Sequence, residues 1–256
     1  MTAADDLLAH ELAAEAGERL LKLRAGGGDA TALRQAGDRQ SHEFLTAELA
    51  RLRPGDAVLS EEGADDHARL SARRVWIVDP LDGTREFGEL DRTDWAVHVA
   101  LWDRSAGPAG DLIAGAVALP AQDRVLSTAE PPPPLAPGEA PAKIRIVVSR
   151  SRPPRFVRNI SGLIDAELVP LGSAGAKVAA VINGEVDAYV HGGGFYEWDT
   201  AAPVAVARAA GLHASRIDGS DLAYNQADLL MPDILVCRPA IAGVLLQAIR
   251  EVTNAP

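Results

Sequence analysis

Apolar residues in the first part of the chain recur at intervals of three and four positions, which is the spacing of one face of a helix. This pattern runs from Asp5 to Arg24, and the glycines at 26–28 end it. The same spacing returns from Asp38 to Leu52, shortly before Pro54. Because glycine and proline interrupt helices, the pattern predicts two amphipathic helices with these bounds.

Beyond residue 57 the apolar residues form short runs, which are typical of strands buried in a sheet. In the first half of the chain the runs predicted as strands are Val58–Leu59, Val75–Val78, Trp95–Trp102, Leu112–Leu119 and Arg124–Ala129. The first two runs are followed closely by acidic residues. We therefore expect carboxylates at the carboxyl ends of two strands, within an α+β arrangement.

The second half of the chain alternates predicted strands and helices, an order that is typical of a sheet covered by helices. The predicted strands are Ile144–Ser149, Leu168–Pro170, Val186–Val190 and Ile234–Cys237, and the predicted helices are Arg155–Asp165, Ala174–Asn183, Thr200–Ala210 and Ile241–Val252. Between the halves, residues 131–142 are rich in proline, which disrupts both strands and helices. The sequence therefore predicts an α+β subdomain at 1–130, a connection at 131–142 and an α/β subdomain at 143–256.

Composition and charge exclude several classes of function for this protein. The chain has 256 residues, with 25 basic and 36 acidic side chains and a net charge of −11 at pH 7. Because a field of this sign repels nucleic acid, we expect no nucleic-acid partner. No apolar run reaches the roughly 18 residues of a membrane span, residues 1–6 do not resemble a signal peptide, and Cys237 is a lone cysteine. These features predict a cytoplasmic protein without a membrane partner.

Three acidic clusters follow apolar runs, at residues 60–63, 79–84 and 197–199. Carboxylates that converge in a protein repel one another, and their desolvation is costly unless a cation neutralises them. The clusters contain no matching lysine or arginine, and the candidate ligands are all oxygen atoms. Such a set suits Mg²⁺, Mn²⁺ or Ca²⁺ better than zinc, and Mg²⁺ is the first candidate.

The spacing within residues 79–84 adds a candidate phosphate site. We expect Pro80 to force a turn and Gly83 to adopt a backbone conformation that other residues resist, so that Asp79 and Asp82 flank a pair of metal ions. The amides of Gly83 and Thr84, at the start of a turn or short helix, can then bind phosphate oxygens. Two metal ions and amide donors around one phosphoryl group meet the needs of phosphate monoester hydrolysis.

Residues Trp76–Thr84 and Trp198–Ala202, with Ser60–Gly63 before them, resemble in order and spacing the paired signatures of the inositol monophosphatase family. Members of this family are Mg²⁺-dependent, lithium-sensitive phosphatases. The resemblance implies an α/β protein with a layered αβαβα sugar-phosphatase fold, an active site at the junction of its two halves and a homodimer. It also implies two to three Mg²⁺ ions, with Mn²⁺ as a possible substitute and Li⁺ as an inhibitor.

The same resemblance assigns roles to individual residues. Glu61, Asp79 and the Leu81 carbonyl would hold one metal ion, and Glu61 would also contact a third, weaker one. Asp79, Asp82 and Asp199 would hold the second ion. The catalytic residues would be Asp38, Thr84 and Glu61, with Thr84 positioning the attacking water and Asp38 orienting the Thr84 hydroxyl. The residues implied to contact substrate are Glu61, Leu81, Asp82, Gly83, Thr84, Ser173, Lys177 and Asp199.

Within the family, Thr84–Phe87 resembles the CysQ-type branch, which removes the 3′-phosphate of 3′-phosphoadenosine 5′-phosphate, a by-product of sulfate assimilation. Gly172–Lys177 resembles the segment that contacts the adenosine and its 5′-phosphate, so we expect Lys177 beside the second phosphate. This nucleotide is therefore the expected substrate. Inositol 1-phosphate and fructose 1,6-bisphosphate are alternatives with the same chemistry. A metal- or phosphate-sensing binding protein without turnover is an alternative from another class.

Several of these residues also have ordinary structural interpretations. Ser173 and Asp199 each precede a predicted helix, where such side chains cap free amides. A lysine on a helix, as at Lys177, is usually solvated, and Glu197 is as readily a hydrogen-bonding neighbour as a substrate contact. The six histidines show no metal-binding or catalytic spacing, so we assign them to structural or surface positions.

Overall fold

The computed structural model describes residues 3–134, 141–151 and 153–253. These residues form the α-helices α1 (Ala3–Ala25), α2 (Ala30–Leu52), α3 (Thr84–Gly88), α4 (Arg155–Leu163), α5 (Ala174–Ile182), α6 (Glu197–Ala209) and α7 (Pro239–Thr253). Their strands are β1 (Ala57–Ser60), β2 (Arg74–Asp82), β3 (Ala96–Asp103), β4 (Asp111–Leu119), β5 (Arg124–Ser127), β6 (Arg145–Ser149), β7 (Glu167–Leu171), β8 (Ala188–His191), β9 (Phe195–Tyr196), β10 (His213–Ser215), β11 (Leu230–Met231) and β12 (Ile234–Cys237).

Two mixed sheets carry the fold. The first has the order β1-β2-β3-β4-β5, in which only the β1/β2 pair of the described strands is parallel. The second has the order β10-β12-β8-β6-β7, with β6 parallel to both β7 and β8. Strands β9 and β11 form a separate antiparallel pair. The α+β character predicted for the first half and the α/β character predicted for the second are confirmed.

Side chains that alternate along the first sheet separate two apolar cores. Trp76 and Val78 of β2 pack with α1 and α2 on one face, whereas Val75 and Ile77 pack on the other face with α5 and α6. A third core lies between the second sheet and α4 and α7. The layers therefore follow the order helices, sheet, helices, sheet, helices, which confirms the αβαβα fold that the resemblance implied.

The middle core contains residues from both halves of the chain. Helix α6 comes from the second half, yet it packs against β2, β3 and β4 of the first sheet. Residues 135–140, within the predicted connection at 131–142, lie outside the described residues. The division into subdomains at 1–130 and 143–256 stays a prediction.

Three predicted boundaries are wrong, and each error has a local cause. Helix α2 begins at Ala30 and not at Asp38, because the Asp29 side chain caps it by accepting from the Thr31 and Ala32 amides. Pro80 does not end its strand. It lies inside β2, where the pairing with β3 shifts register between Asp79 and Asp82 and requires no amide hydrogen from proline.

The third error concerns the helix that was predicted at Thr200–Ala210. Helix α6 begins at Glu197, so Asp199 lies in its first turn and is not the capping residue. The Asp199 carboxylate instead accepts a hydrogen bond from the Tyr196 amide just before the helix. Over the described ranges, no helix is both long enough and apolar enough to cross a bilayer.

Candidate metal centre and active site

Three carboxylates converge between the two sheets. Asp79 and Asp82 lie at the carboxyl end of β2, and the register shift between them brings both side chains toward the first turn of α6, which carries Asp199. One oxygen atom of each side chain lies within 4.8 Å of the others. Asp199 is 117 positions or more from the other two aspartates in the chain. The fold thus brings distant residues into one acidic cluster, as the three roles assigned to them require.

Asp79 is the most deeply placed of the three. Its side chain is buried, and its Oδ1 atom accepts from the Leu81 amide at 3.0 Å. Its Oδ2 atom finds no hydrogen-bond partner among the residues that the structure describes. Burial, followed by the negative charges of Glu61, Asp82 and Asp199, raises the pKa of Asp79 well above its ordinary value.

Asp82 has a different environment. Although Asp82 belongs to β2, its carboxylate lies beside the N-terminus of α5. There it accepts hydrogen bonds from the Ala174 amide at 3.1 Å, the Gly175 amide at 2.6 Å and the Ser173 hydroxyl. Burial by itself would raise the pKa of Asp82, but nearby His98, Lys177 and the hydroxyl outweigh burial and hold that pKa below its ordinary value. Asp82 is therefore an anion at any pH near neutral.

Asp199 completes the cluster as a half-buried carboxylate. Burial and then the charge of Asp82 raise the pKa of Asp199 to about 6. The cluster thus holds carboxyl oxygens close together, including one buried oxygen of Asp79 that receives no hydrogen bond from the described residues. A divalent cation that prefers oxygen ligands satisfies both features, so these residues fit Mg²⁺.

Glu61 lies at the exposed edge of this cluster, directly after β1. Partial desolvation and then the charge of Asp199 raise the pKa of Glu61 to about 7. The Glu61 carboxyl is not one of the three that lie within 4.8 Å of one another, but it interacts with the side chain of Asp79. Leu81 is buried, and its carbonyl oxygen accepts from the Thr84 hydroxyl at 3.0 Å.

The structure also brings together Thr84 and Asp38, the two residues assigned to orient water. Thr84 Oγ1 lies 3.3 Å from Asp38 Oδ1 on α2. Burial and then the charge of Glu62 raise the pKa of Asp38 to about 6, so this carboxyl is mostly ionised at neutral pH. Their catalytic role stays a prediction, but the geometry provides the acceptor that it needs.

Gly83 lies where the two halves of the chain touch. Its φ of +82° falls in the left-handed region. A Cβ atom there would lie 3.0 Å from the Ser173 side chain and 3.3 Å from the Asp94 carbonyl oxygen. Glycine is therefore required twice over, by its backbone conformation and by the close approach of the α5 segment.

Ser173 and Lys177 both lie on the α5 side of the site. The Ser173 hydroxyl accepts from the Ala176 amide at 3.0 Å, which confirms the capping interpretation. Lys177 is buried and not solvated, and its Nζ donates to Ser173 O at 2.6 Å and to Gly172 O at 3.3 Å. Desolvation lowers the pKa of Lys177, opposed by the charges of Asp82 and Asp199.

A cavity of about 460 Å³ opens beside the acidic cluster. Asp82, Asp199, Ser173 and Lys177 line its floor, and residues 191–195 with Phe156 form its outer wall. Its volume falls in the range of small-molecule sites. Two of the predicted metal ligands, Asp82 and Asp199, and the predicted substrate contact Lys177 therefore face one space.

A buried polar network holds the loop after Glu61 against the loop before β11. Arg69 is 1% exposed and binds Asp65 through two nitrogens, Asn225 Oδ1 at 2.7 Å and Gln226 O at 2.8 Å. Glu197, at the start of α6, accepts from the Asn225 and Gln226 amides. Glu197 is thus a structural neighbour of the site, as one of its two interpretations proposed.

His98 is a site residue that the sequence analysis assigned only to a structural or surface role. It is fully buried in β3, with Nε2 3.2 Å from Asp82 Oδ2 and Nδ1 3.1 Å from Trp198 O. Its neighbours come from distant parts of the chain, so no spacing reveals them. The available signal was a histidine inside the apolar run Trp95–Trp102.

The raised carboxyl pKa values predict an unusual pH dependence for the metal-free protein. Asp79, Asp199 and Glu61 bind protons more tightly in the folded state than in the unfolded chain, so the free energy of unfolding falls as the pH rises from about 5 to about 8. Asp82 is ionised in both states over that window and contributes no slope.

Thermal unfolding in EDTA at the two pH values measures this effect. We expect a lower Tm at about pH 8 than at about pH 5, and a smaller difference with saturating Mg²⁺, because the cation replaces the protons. A metal-free Tm that rises with pH over this window would contradict the arrangement of charges described above.

Comparison with known proteins identifies relatives over nearly the whole chain. The model of the inositol monophosphatase family matches residues 3–254. A 3′-phosphoadenosine 5′-phosphate phosphatase of Mycobacterium leprae is 51% identical over 97% of this chain and 94% of its own length. The 3′(2′),5′-bisphosphate nucleotidase CysQ of Escherichia coli is 34% identical over 74% of this chain and 78% of its own. The crystal structure of CysQ from Bacteroides thetaiotaomicron matches with a TM-score of 0.77 and 28% identity, over 92% of this chain and 97% of that one.

Proposed function

Because this chain belongs to the inositol monophosphatase family, we propose that it is a Mg²⁺-dependent phosphatase that removes the 3′-phosphate of 3′-phosphoadenosine 5′-phosphate and leaves AMP. The Mycobacterium leprae relative, which shares half of its residues with this chain, is named for this substrate. The matched region spans 97% of this chain. The nucleotide is therefore favoured over inositol 1-phosphate and fructose 1,6-bisphosphate.

One observation carries the proposal: the oxygens of Asp79, Asp82 and Asp199 lie within 4.8 Å of one another, and Asp82 and Asp199 line a cavity that Lys177 also lines. A phosphate monoester with a second phosphate carries negative charge at two separated places. The aspartates would hold cations that neutralise one phosphate, and the buried Lys177 side chain would bind the other.

Asp79, Asp82 and Asp199, with Glu61 and the Leu81 carbonyl, would hold the metal ions. When bound, Mg²⁺ supplies charge neutralisation and Lewis-acid activation for the phosphoryl group. We propose two to three ions, with Mn²⁺ as a functional substitute and Li⁺ as an inhibitor. Asp82 needs no proton release to bind a cation, whereas the raised pKa values of Asp79 and Asp199 make metal binding weaker at low pH.

Thr84 and Asp38 would orient the attacking water. The single hydrogen of the Thr84 hydroxyl has two acceptors within reach, Leu81 O at 3.0 Å and Asp38 Oδ1 at 3.3 Å. With the Leu81 carbonyl engaged by a metal ion, the hydroxyl would donate to Asp38, and its lone pairs would accept a hydrogen bond from the water. The water oxygen then attacks phosphorus as the bond between phosphorus and the 3′ oxygen breaks. The proton that the water gives up passes to the released alkoxide, so inorganic phosphate and the 3′-hydroxyl are the products. The amides of Gly83, which precedes α3, and of Thr84, its first residue, would bind phosphate oxygens.

The direct test is kcat/KM for three substrates measured side by side: 3′-phosphoadenosine 5′-phosphate, inositol 1-phosphate and fructose 1,6-bisphosphate. We expect a preference of at least about tenfold for the nucleotide, which requires only about 1.4 kcal/mol of extra transition-state binding. Activity should be lost in EDTA and reduced by Li⁺. Equal rates on all three substrates would refute the substrate assignment, and metal binding without turnover on any of them would favour a sensing protein.

Lys177→Met tests the contact with the second phosphate. The change removes the buried charge but keeps the length of the side chain, so kcat/KM for the bisphosphate should fall about 10- to 100-fold. The loss for inositol 1-phosphate, which has no second phosphate, should be much smaller. Lys143→Met, at an exposed lysine paired only with Asp165 among its described neighbours, serves as the control. Equal losses on both substrates would place Lys177 elsewhere in the mechanism.

We also propose a homodimer in the cytoplasm. The family resemblance favours the dimer, and light scattering of the purified protein measures the oligomeric state directly. The cytoplasmic assignment is supported by the lone, buried Cys237, which has no second cysteine for an internal disulfide.

A further inference from the structure

His98 connects the metal ligands contributed by the two halves of the chain. It lies on β3, next to β2, where it is paired with Asp79 in the sheet register. One ring nitrogen faces Asp82 Oδ2 at 3.2 Å and the other faces Trp198 O at 3.1 Å. Trp198 directly precedes Asp199. A single imidazole therefore touches one ligand itself and the backbone next to another.

The contact with Trp198 determines how the ring is oriented. A carbonyl oxygen only accepts, so Nδ1 carries a hydrogen and donates it to Trp198 O. The Nε2 atom then lies 3.2 Å, an ion-pair distance, from the Asp82 carboxylate oxygen that also accepts from Ser173 and Gly175. The ring is completely buried, and the sheet and α6 enclose it, so it has no room to turn away from either oxygen.

Gly175 provides the space that the His98 ring occupies. A Cβ atom on Gly175 would lie 2.1 Å from His98 Nε2 and 3.1 Å from His98 Cδ2, distances that a side chain at position 175 cannot adopt beside this ring. The Gly175 amide meanwhile donates to the same Asp82 oxygen at 2.6 Å. Gly175 and His98 thus fit each other and approach Asp82 together from α5 and β3.

We propose that His98 is a positioning residue of the metal centre: its ring fixes the Asp82 carboxylate and the first turn of α6 relative to each other. In the same arrangement, position 175 is a glycine because the His98 ring fills the space that a side chain there would need. The proposal rests on the metal-binding role of Asp82 in the proposed function, and it is independent of which phosphate monoester is the substrate. His98 would touch neither substrate nor metal, because Asp82 and Trp198 lie between.

Two substitutions that introduce a side-chain amide test the two contacts of the His98 ring separately. His98→Asn places its amide nitrogen near the Nδ1 position, so it keeps the bond to Trp198 O and loses the contact with Asp82. His98→Gln reaches toward the Nε2 position and keeps the contact with Asp82. We expect Mn²⁺, used as a probe ion, to bind about 10-fold or more weakly to His98→Asn, and His98→Gln to recover most of that loss.

Mn²⁺ affinity is measured by titration with detection by electron paramagnetic resonance, whose line shape also reports the symmetry of the ligands. His213→Gln is the matched control, because His213 binds Ser215 on β10 and contacts none of the three aspartates. Thermal unfolding in EDTA shows whether each variant is folded. Folded His98→Asn with wild-type Mn²⁺ affinity and line shape would overturn the positioning role.

The fit between His98 and Gly175 is tested by a double-mutant cycle. Gly175→Ala alone should weaken Mn²⁺ binding, since the new methyl group displaces the ring. His98→Ala removes the ring, so the combined variant should lose less than the sum of the two single losses. Additive losses would overturn the proposed fit. Wild-type protein that binds no Mn²⁺ would overturn the metal centre itself, whereas normal Mn²⁺ binding without hydrolysis of the nucleotide would overturn only the proposed substrate.

Discussion

Asp79→Asn should remove the activity of this protein and, at the same time, raise the Tm of its metal-free form. The substitution deletes a carboxylate that would be shared between metal ions, and a loss of several kcal/mol of transition-state stabilisation corresponds to about 10³-fold or more in kcat/KM. Stability moves in the other direction because Asp79 is buried among like charges and has a raised pKa. A neutral amide of the same shape relieves that repulsion.

Asp187→Asn is the control for this result. Asp187 is equally buried, but Arg145 and Arg238 surround it, and despite its burial their hydrogen bonds and charges lower its pKa. Neutralising Asp187 should therefore lower the Tm and leave kcat/KM for folded protein near that of the wild type. Measurement of Tm in EDTA and of phosphate release with Mg²⁺ distinguishes the two variants. An active Asp79→Asn protein would refute the metal assignment.

Arg69→Leu should produce the largest loss of stability. Arg69 is the positively charged member of a buried network, and removal of its guanidinium leaves Asp65, Asn225 and Gln226 with unpaired polar atoms. The expected cost is about 3 kcal/mol, which for a chain of this length corresponds to roughly 6–12 °C in Tm. Arg69→Lys should recover only part of this stability, because a lysine ammonium cannot form the planar, bidentate interaction that the guanidinium makes with Asp65.

Arg73→Leu is the comparison for Arg69, since it changes the same residue type four positions away. The Arg73 side chain is 76% exposed, and its contact with Asp103 spans 4.0 Å. Its loss should change the Tm by little, as is usual for exposed ion pairs. Similar Tm values for the two leucine variants would mean that the Arg69 network does not hold the loops together.

The acidic cluster was accessible from the sequence because its members lie in short, ordered segments. Asp79 and Asp82 are three residues apart at the end of one apolar run, and Asp199 follows a tryptophan at the start of an amphipathic helix. Such local patterns survive in the sequence whatever the rest of the fold does. Most of the strands and helices were accessible for a similar reason, since each has its own apolar period, whereas the layered order was implied only by the resemblance to the family.

Other features depended on contacts that no local pattern records. Lys177 is buried because Gly172 and Ser173 turn their carbonyl oxygens toward it, and His98 is enclosed by three separate segments. The early start of α2 had a local signal in Asp29, which follows three glycines, but the glycines also marked the end of α1. Strands β9 and β11 have two residues each, too few for a period to show.

The parts of the cavity differ in how they are built. The aspartates stand on β2 and the first turn of α6, which are packed into apolar cores, whereas much of the outer wall is the connection at residues 192–194 between β8 and β9. Insertions and exchanges are tolerated far better in such connections than in packed elements. New substrate preferences can therefore evolve, or be engineered, by exchange of the outer wall while the inherited phosphoryl chemistry is retained.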